Sequence, residues 1–96
     1  MLYISDNLKW LRNKFSLTQL EAAAGMKFGV DQYKKYEYGK NVPPAECLLV
    51  ISRFYHISID LLLTVDLSKV AIDNLLKLED NRIVLPIVIN KEGENL

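Results

Sequence analysis

The 96-residue sequence has one cysteine, one histidine and no net charge, and each scarcity removes a class of protein. Cys47 has no second cysteine to pair with, so no internal disulfide forms, which fits a reducing cytoplasm. Set beside Leu48, Leu49 and Val50, it reads as a core residue rather than a reactive thiol. His56 has no other histidine near it and no partner cysteine, so a metal site is not expected and a place at a helix end is. No apolar run reaches about 18 residues, the length a membrane helix needs. The N-terminus, MLYISDNLKW, lacks the basic start and long apolar centre of a signal peptide, so none is expected. There is also no nucleophile-base pair and no phosphate-cradling glycine loop. An enzyme is therefore not expected, nor is any cofactor.

What remains is a chain with 50% hydrophobic residues, enough for one globular domain with a short appendage. Its zero net charge hides a division. From Lys9 to Lys40 there are seven Lys/Arg and three acids, 7 − 3 = +4, whereas Asp60 to Leu96 holds seven acids and four bases, 4 − 7 = −3. A basic front half supplies a local field that attracts a polyanion, with the moderate, salt-sensitive affinity that +4 allows.

The basic half centres on TQLEAAAGMKFGVDQYKKYEYGK, Thr18 to Lys40. Thr18 and Glu21 have capping-box spacing, so a helix begins at Gln19. Ala22, Ala23 and Ala24 favour the helix and let a second one cross close by. Met26 and Phe28 bracket a turn, and Gly29 is placed to cap a second helix. There Val30, Tyr33 and Tyr36 form an inner apolar stripe. Gly39, after Tyr38, ends that helix in the left-handed conformation. The outward face carries Asp31, Lys34, Lys35 and Tyr38, with Gln19 and Lys40 at the flanks. Lys34 and Lys35 suit phosphates or guanine acceptors, Asp31 a cytosine amine and Val30 a thymine methyl. The same lysines also suit a merely solvated face.

Leu17-Thr18-Gln19, Glu21, Ala23, Met26, Phe28, Tyr33, Tyr36-Glu37, Gly39-Lys40 and Pro43 resemble, in type and spacing, the Cro/repressor-type helix-turn-helix family. This XRE-like, lambda-repressor-like resemblance covers roughly residues 5 to 65. It implies a mainly α fold of five helices and a sequence-specific DNA-binding transcriptional regulator, a repressor. Its partner is double-stranded DNA, bound as a homodimer on a palindromic operator. The resemblance assigns base reading to Val30, Asp31, Lys34 and Lys35, and phosphate binding to Gln19, Gly29, Tyr38 and Lys40. Ala23, Tyr33 and Tyr36 hold the helices together, and Arg12 pairs with Glu37. One position departs from the pattern, since Lys27 stands where a turn glycine is expected. A lysine at positive φ costs about 1 kcal/mol. The expectation is that the turn rearranges around Gly25 and Gly29 instead, with the second helix kept in place.

The flanking segments complete the helical count. Ser5-Asp6 offers an N-cap for a first helix with Ile4, Leu8, Leu11 and Phe15 inward, and Trp10 suits the edge of the core. Pro44 fits the first position of a fourth helix carrying Leu48, Ile51 and Phe54 or Tyr55 inward. Ser58 caps a fifth, Ile59 to Leu63. Residues 1–65 thus form the DNA-binding domain, and 66–96 a tail of a short helix opening at Asp66 and a β-strand, Arg82 to Ile89. Pro86 restricts that strand to an edge. A lone strand needs a partner: a second copy, the helices, or further strands. The tail resembles the linker and first strand of longer bacterial regulators that carry a LexA-like C-terminal domain. A second reading stays open, an antitoxin or adaptor whose C-terminal strand captures a protein partner.

Overall fold

Ile4, Leu8 and Leu11 recur at three- and four-residue steps and all three are buried, so the first helix turns one stripe inward. In the computed structural model, which describes residues 2–70, that helix is α1, Ile4–Lys14. It is followed by α2 (Gln19–Met26), α3 (Val30–Glu37), α4 (Ala45–Tyr55), α5 (Ile59–Thr64) and a 3₁₀ turn, Leu67–Lys69. No strand occurs among the described residues. The helix α1 lies against α3, α5 and the 3₁₀ turn, α2 crosses α3 and α4, and α4 packs on α5. Leu8, Tyr33, Ile51, Leu62 and Leu67 are wholly enclosed where these meet. Truncating one such Leu or Ile to Ala typically costs 2–5 kcal/mol, roughly, so the core holds the helices in one arrangement.

Asn7 joins the two ends of this unit. Its amide donates to the backbone oxygens of Leu62 at 2.8 Å and Val65 at 2.7 Å, and its carbonyl accepts from the Leu67 N–H at 3.0 Å. The buried side chain therefore satisfies three backbone groups left over where α5 ends. It also fastens Leu67 into the core, which carries the packing beyond residue 65.

Several local expectations are corrected. Tyr3, not Ser5 or Asp6, is the N-cap of α1, and no side chain caps it; the Tyr3 N–H instead reaches the Leu63 oxygen at 2.9 Å. Phe15 lies past the end of α1 and is 56% exposed, with its ring stacked on Tyr55 at 5.7 Å. Pro44 is the N-cap of α4, so the helix begins one residue later, at Ala45. Ser58 caps α5, accepting from Leu61, and the helix runs to Thr64. Asp66 opens only a 3₁₀ turn, after which Val70 is extended. The remainder of the expected sixth helix and the strand from Arg82 to Ile89 lie outside the described residues.

The turn between α2 and α3 is the clearest correction. Lys27 itself takes the left-handed conformation, φ 61°, and the turn does not move to the neighbouring glycines. The Phe28 N–H reaches the Ala23 oxygen at 2.9 Å and the Lys27 N–H the Ala24 oxygen at 3.1 Å, a Schellman closure. Gly25 is inside α2, where an added Cβ would stand 2.7 Å from the Phe54 ring, so its smallness serves the crossing with α4. The same long closure ends α1 at Ser16 (φ 57°), α3 at Gly39 (φ 76°) and α4 at His56 (φ 58°). Of these four left-handed positions, one is glycine.

Candidate nucleic-acid interface

The α2 N-terminus is fixed by the capping box that Thr18 and Glu21 promise. The Glu21 N–H donates to Thr18 Oγ1 at 3.0 Å, and the Thr18 N–H to Glu21 Oε1 at 2.9 Å. Ala22 and Ala23 are buried where α2 meets α3 and α4, and their short side chains allow the close crossing in which Tyr33 has no exposed surface.

Below the surface of α3, Glu37 is the point of attachment. Its side chain is 1% exposed and accepts four hydrogen bonds. Arg12 supplies two, from Nε to Oε2 at 2.8 Å and from Nη2 to Oε1 at 2.9 Å. Tyr33 Oη donates to Oε2 at 2.6 Å, and Gln19 Nε2 donates to Oε1 at 3.1 Å. Arg12 Nη1 also donates to the Leu17 oxygen at 3.0 Å, across the α1–α2 loop. One carboxylate thus ties α1, α2 and α3 together. Burial pushes the Glu37 carboxyl upward, but the hydrogen bonds from Arg12, Tyr33 and Gln19 outweigh it and hold the group below its ordinary range. The Arg12 guanidinium is raised in turn, chiefly by its bond to Glu37. Burial and then the bond to Glu37 raise the Tyr33 phenol, so it stays a donor.

A second set of contacts seats the far side of α3. Gln32 Nε2 donates to Tyr36 Oη at 2.7 Å, and Tyr36 Oη lies 3.7 Å from Cys47 Sγ on α4. The Tyr36 ring meets Phe28 edge-on at 5.9 Å. The hydroxyl of Tyr55, also buried, has no hydrogen-bond partner among the described residues, and burial followed by the charge of Glu37 pushes it up to about 12.

With Tyr33, Tyr36 and Glu37 turned inward, helical geometry leaves Asp31, Lys35 and Tyr38 on one outer arc. All three are exposed, Tyr38 by 57%. Lys34 stands half-buried beside them, and Val30, half-buried, packs against the core and offers only part of its surface outward. Asp31, Lys34 and Lys35 make no side-chain hydrogen bond or ion pair among the described residues. Gly29 is the exposed N-cap of α3, with nothing within 4 Å of an added Cβ and no side-chain cap. Lys40 is exposed just past Gly39. Gln19, by contrast, directs its amide inward, to Glu37 and to Tyr38 Oη at 3.4 Å. Tyr33, Arg12 and Glu37 therefore meet at the α1–α2–α3 junction, with Ala23 buried on α2, and Tyr36 seats α3 on the far side against Phe28 and against Cys47 of α4, while Asp31, Lys34, Lys35 and Tyr38 share the outer side. Gln32 was not anticipated; its position four residues before Tyr36 is the signal that pairs them.

Among the described residues no helix is long and apolar enough to cross a membrane. No curated protein sequence matches the chain. A crystal structure of a transcriptional regulator from Listeria innocua superposes with a TM-score of 0.61. It is 22% identical over 96% of this chain and 83% of that one, a likeness that speaks for the fold. A helix-turn-helix family model matches residues 8–62, more than half of the 96, and takes in α2, the Lys27 turn and α3 together. The chain belongs to the XRE-type helix-turn-helix family.

Proposed function

We propose that this chain is a DNA-binding transcriptional regulator that acts in the cytoplasm as a repressor, docking α3 in the major groove. The observation that carries this is the division of α3. Its inner side is anchored through Glu37 and Tyr36, and its outer side presents Lys34, Lys35 and Asp31 without partners in the described fold. A rigid helix with unpaired charged groups suits base edges and phosphates. That the similar protein from Listeria innocua is a transcriptional regulator supports the same reading.

Val30, Asp31, Lys34 and Lys35 read bases, and Gln19, Gly29, Tyr38 and Lys40 meet phosphates. Gly29 does so through the free N–H groups of the α3 N-terminus, and Gln19 by turning its amide from Tyr38. Residues 1–65, together with the 3₁₀ turn that Leu67 anchors in the core, supply this DNA-binding unit, and the rest of 66–96 supplies the tail. Two copies bind a near-palindromic operator with their α3 helices in successive major grooves about 34 Å apart, and repress by occluding polymerase.

Selection of duplexes from a random library by the full chain, followed by sequencing, tests the proposal. The expected outcome is an inverted repeat with half-sites about 10 base pairs apart. Recovery of unrelated sequences in proportion to the starting library would overturn it.

A further inference from the structure

The outward side of α4 has the composition of a contact rather than of a solvated face. Ala45, Glu46, Leu49, Val50 and Arg53 are its exposed residues. At 3.6 residues per turn they fill one continuous arc, with Glu46 and Arg53 within about 20° of each other along its midline. Leu49 is 42% exposed and Val50 38%, one on each side of that midline. Neither Glu46 nor Arg53 has an ion pair or side-chain hydrogen bond among the described residues. Two apolar residues are therefore framed by two unpaired charges of opposite sign.

The spacing matches a second copy of the same helix running antiparallel. Seven residues separate Glu46 from Arg53, about 10.5 Å along the axis. A two-fold axis placed midway, between Leu49 and Val50, brings each Glu46 level with the other copy's Arg53. It also brings Leu49 and Val50 against their own counterparts. The face is thus complementary to itself in charge and in apolar contact, the requirement of an isologous interface.

We propose that the α4 face of Glu46, Leu49, Val50 and Arg53 is the surface on which two copies of this chain associate, as an antiparallel α4 pair. This names the partner surface for the dimer put forward above and rests on that reading for its purpose, since a two-fold operator calls for a two-fold protein. One helix face from each copy makes a small interface, so the free dimer dissociates in the micromolar range or above. The two ion pairs are related to each other by the axis, so a single charge reversal creates two like-charge contacts at once.

The test is sedimentation equilibrium of the full 96-residue chain without DNA, from micromolar to millimolar concentration, with far-UV circular dichroism as a check on folding. The expected result is a concentration-dependent dimer. Glu46→Arg and Arg53→Glu should each weaken it by about tenfold or more, and the double reversal should restore it. In the double variant both charges oppose the α4 dipole, so recovery of the dimer cannot come from a recovered helix. Val50→Lys, which sets two ammonium groups at the axis, should abolish association independently. A chain that is monomeric throughout would overturn the proposal. So would a dimer indifferent to the single reversals, as one held by the tail would be, or a double variant that fails to restore association. Because DNA is absent, failure here leaves the DNA-binding reading standing, and failure to bind DNA would leave this result intact.

Discussion

The two sides of α3 are built by opposite rules. On the inner side every polar group has a designated partner: Glu37 accepts from Arg12, Tyr33 and Gln19, and Tyr36 is held by Gln32 and Cys47. On the outer side Asp31, Lys34 and Lys35 have none. Satisfied buried groups specify a single position for the helix, whereas unsatisfied exposed groups are free to find partners elsewhere. Mutation should therefore separate the two sides cleanly, costing stability on one and binding on the other.

The largest effect should come from the inner side. Arg12→Ala leaves the Glu37 carboxylate buried with its main counter-charge removed, and should cost about 3–5 kcal/mol, read as a fall in the urea midpoint. For a domain of this size that loss approaches unfolding. Conversely, a change under about 1 kcal/mol would mean that the junction tolerates an unpaired carboxylate and is not the anchor described.

Acid should reach the same group. Because the folded Glu37 carboxyl is held below its ordinary range, its stabilising contribution is complete above about pH 5.5, begins to be lost near the unfolded value of about 4.3, and is gone once pH has fallen through the depressed value. The stability gap between the wild type and Glu37→Gln should accordingly narrow as pH falls below about 5. A gap that stays constant from pH 7 to pH 3, measured by chemical denaturation, would remove Glu37 from this role.

These expectations also mark how far the sequence alone could be read. Capping at Thr18 and Glu21, the burial of Tyr33 and the left-handed Gly39 follow from spacing and residue type, and all three occur. The Arg12–Glu37 pair came from family resemblance, since nothing local relates residues 25 positions apart. The role of Asn7 is illegible in the sequence for the same physical reason. Its partners at Leu62, Val65 and Leu67 are brought to it by the tertiary fold, and an asparagine in an amphipathic helix gives no sign of burial. The left-handed Lys27 is not legible from residue type, because the helix closure decides the conformation at that position. Two backbone hydrogen bonds outweigh a left-handed lysine, as they do for Ser16 and His56. Asp31, Lys34, Lys35 and Tyr38 were found on one side because helical periodicity alone places them there.

That strain is a smaller lever on the same helix, just before its N-terminus. Lys27→Gly relieves the left-handed strain but adds freedom to the unfolded chain, so a net gain of somewhat under 1 kcal/mol is expected in thermal or urea unfolding. A loss would show that the lysine side chain contributes to holding the turn. The smallest stability change belongs to the outer side: Lys35→Ala should alter stability by no more than about 0.5 kcal/mol. A larger destabilisation would make Lys35 part of the scaffold and erase the contrast between the two sides.

The contrast itself is tested most directly by titrating wild type and Lys35→Ala, at one fixed salt concentration, with a selected duplex and with its scrambled counterpart. Wild type should prefer the selected duplex by about a thousandfold or more. Lys35→Ala, with its fold intact, should lose about 1–3 kcal/mol of that preference. Equal binding of both duplexes by the wild type would contradict the account.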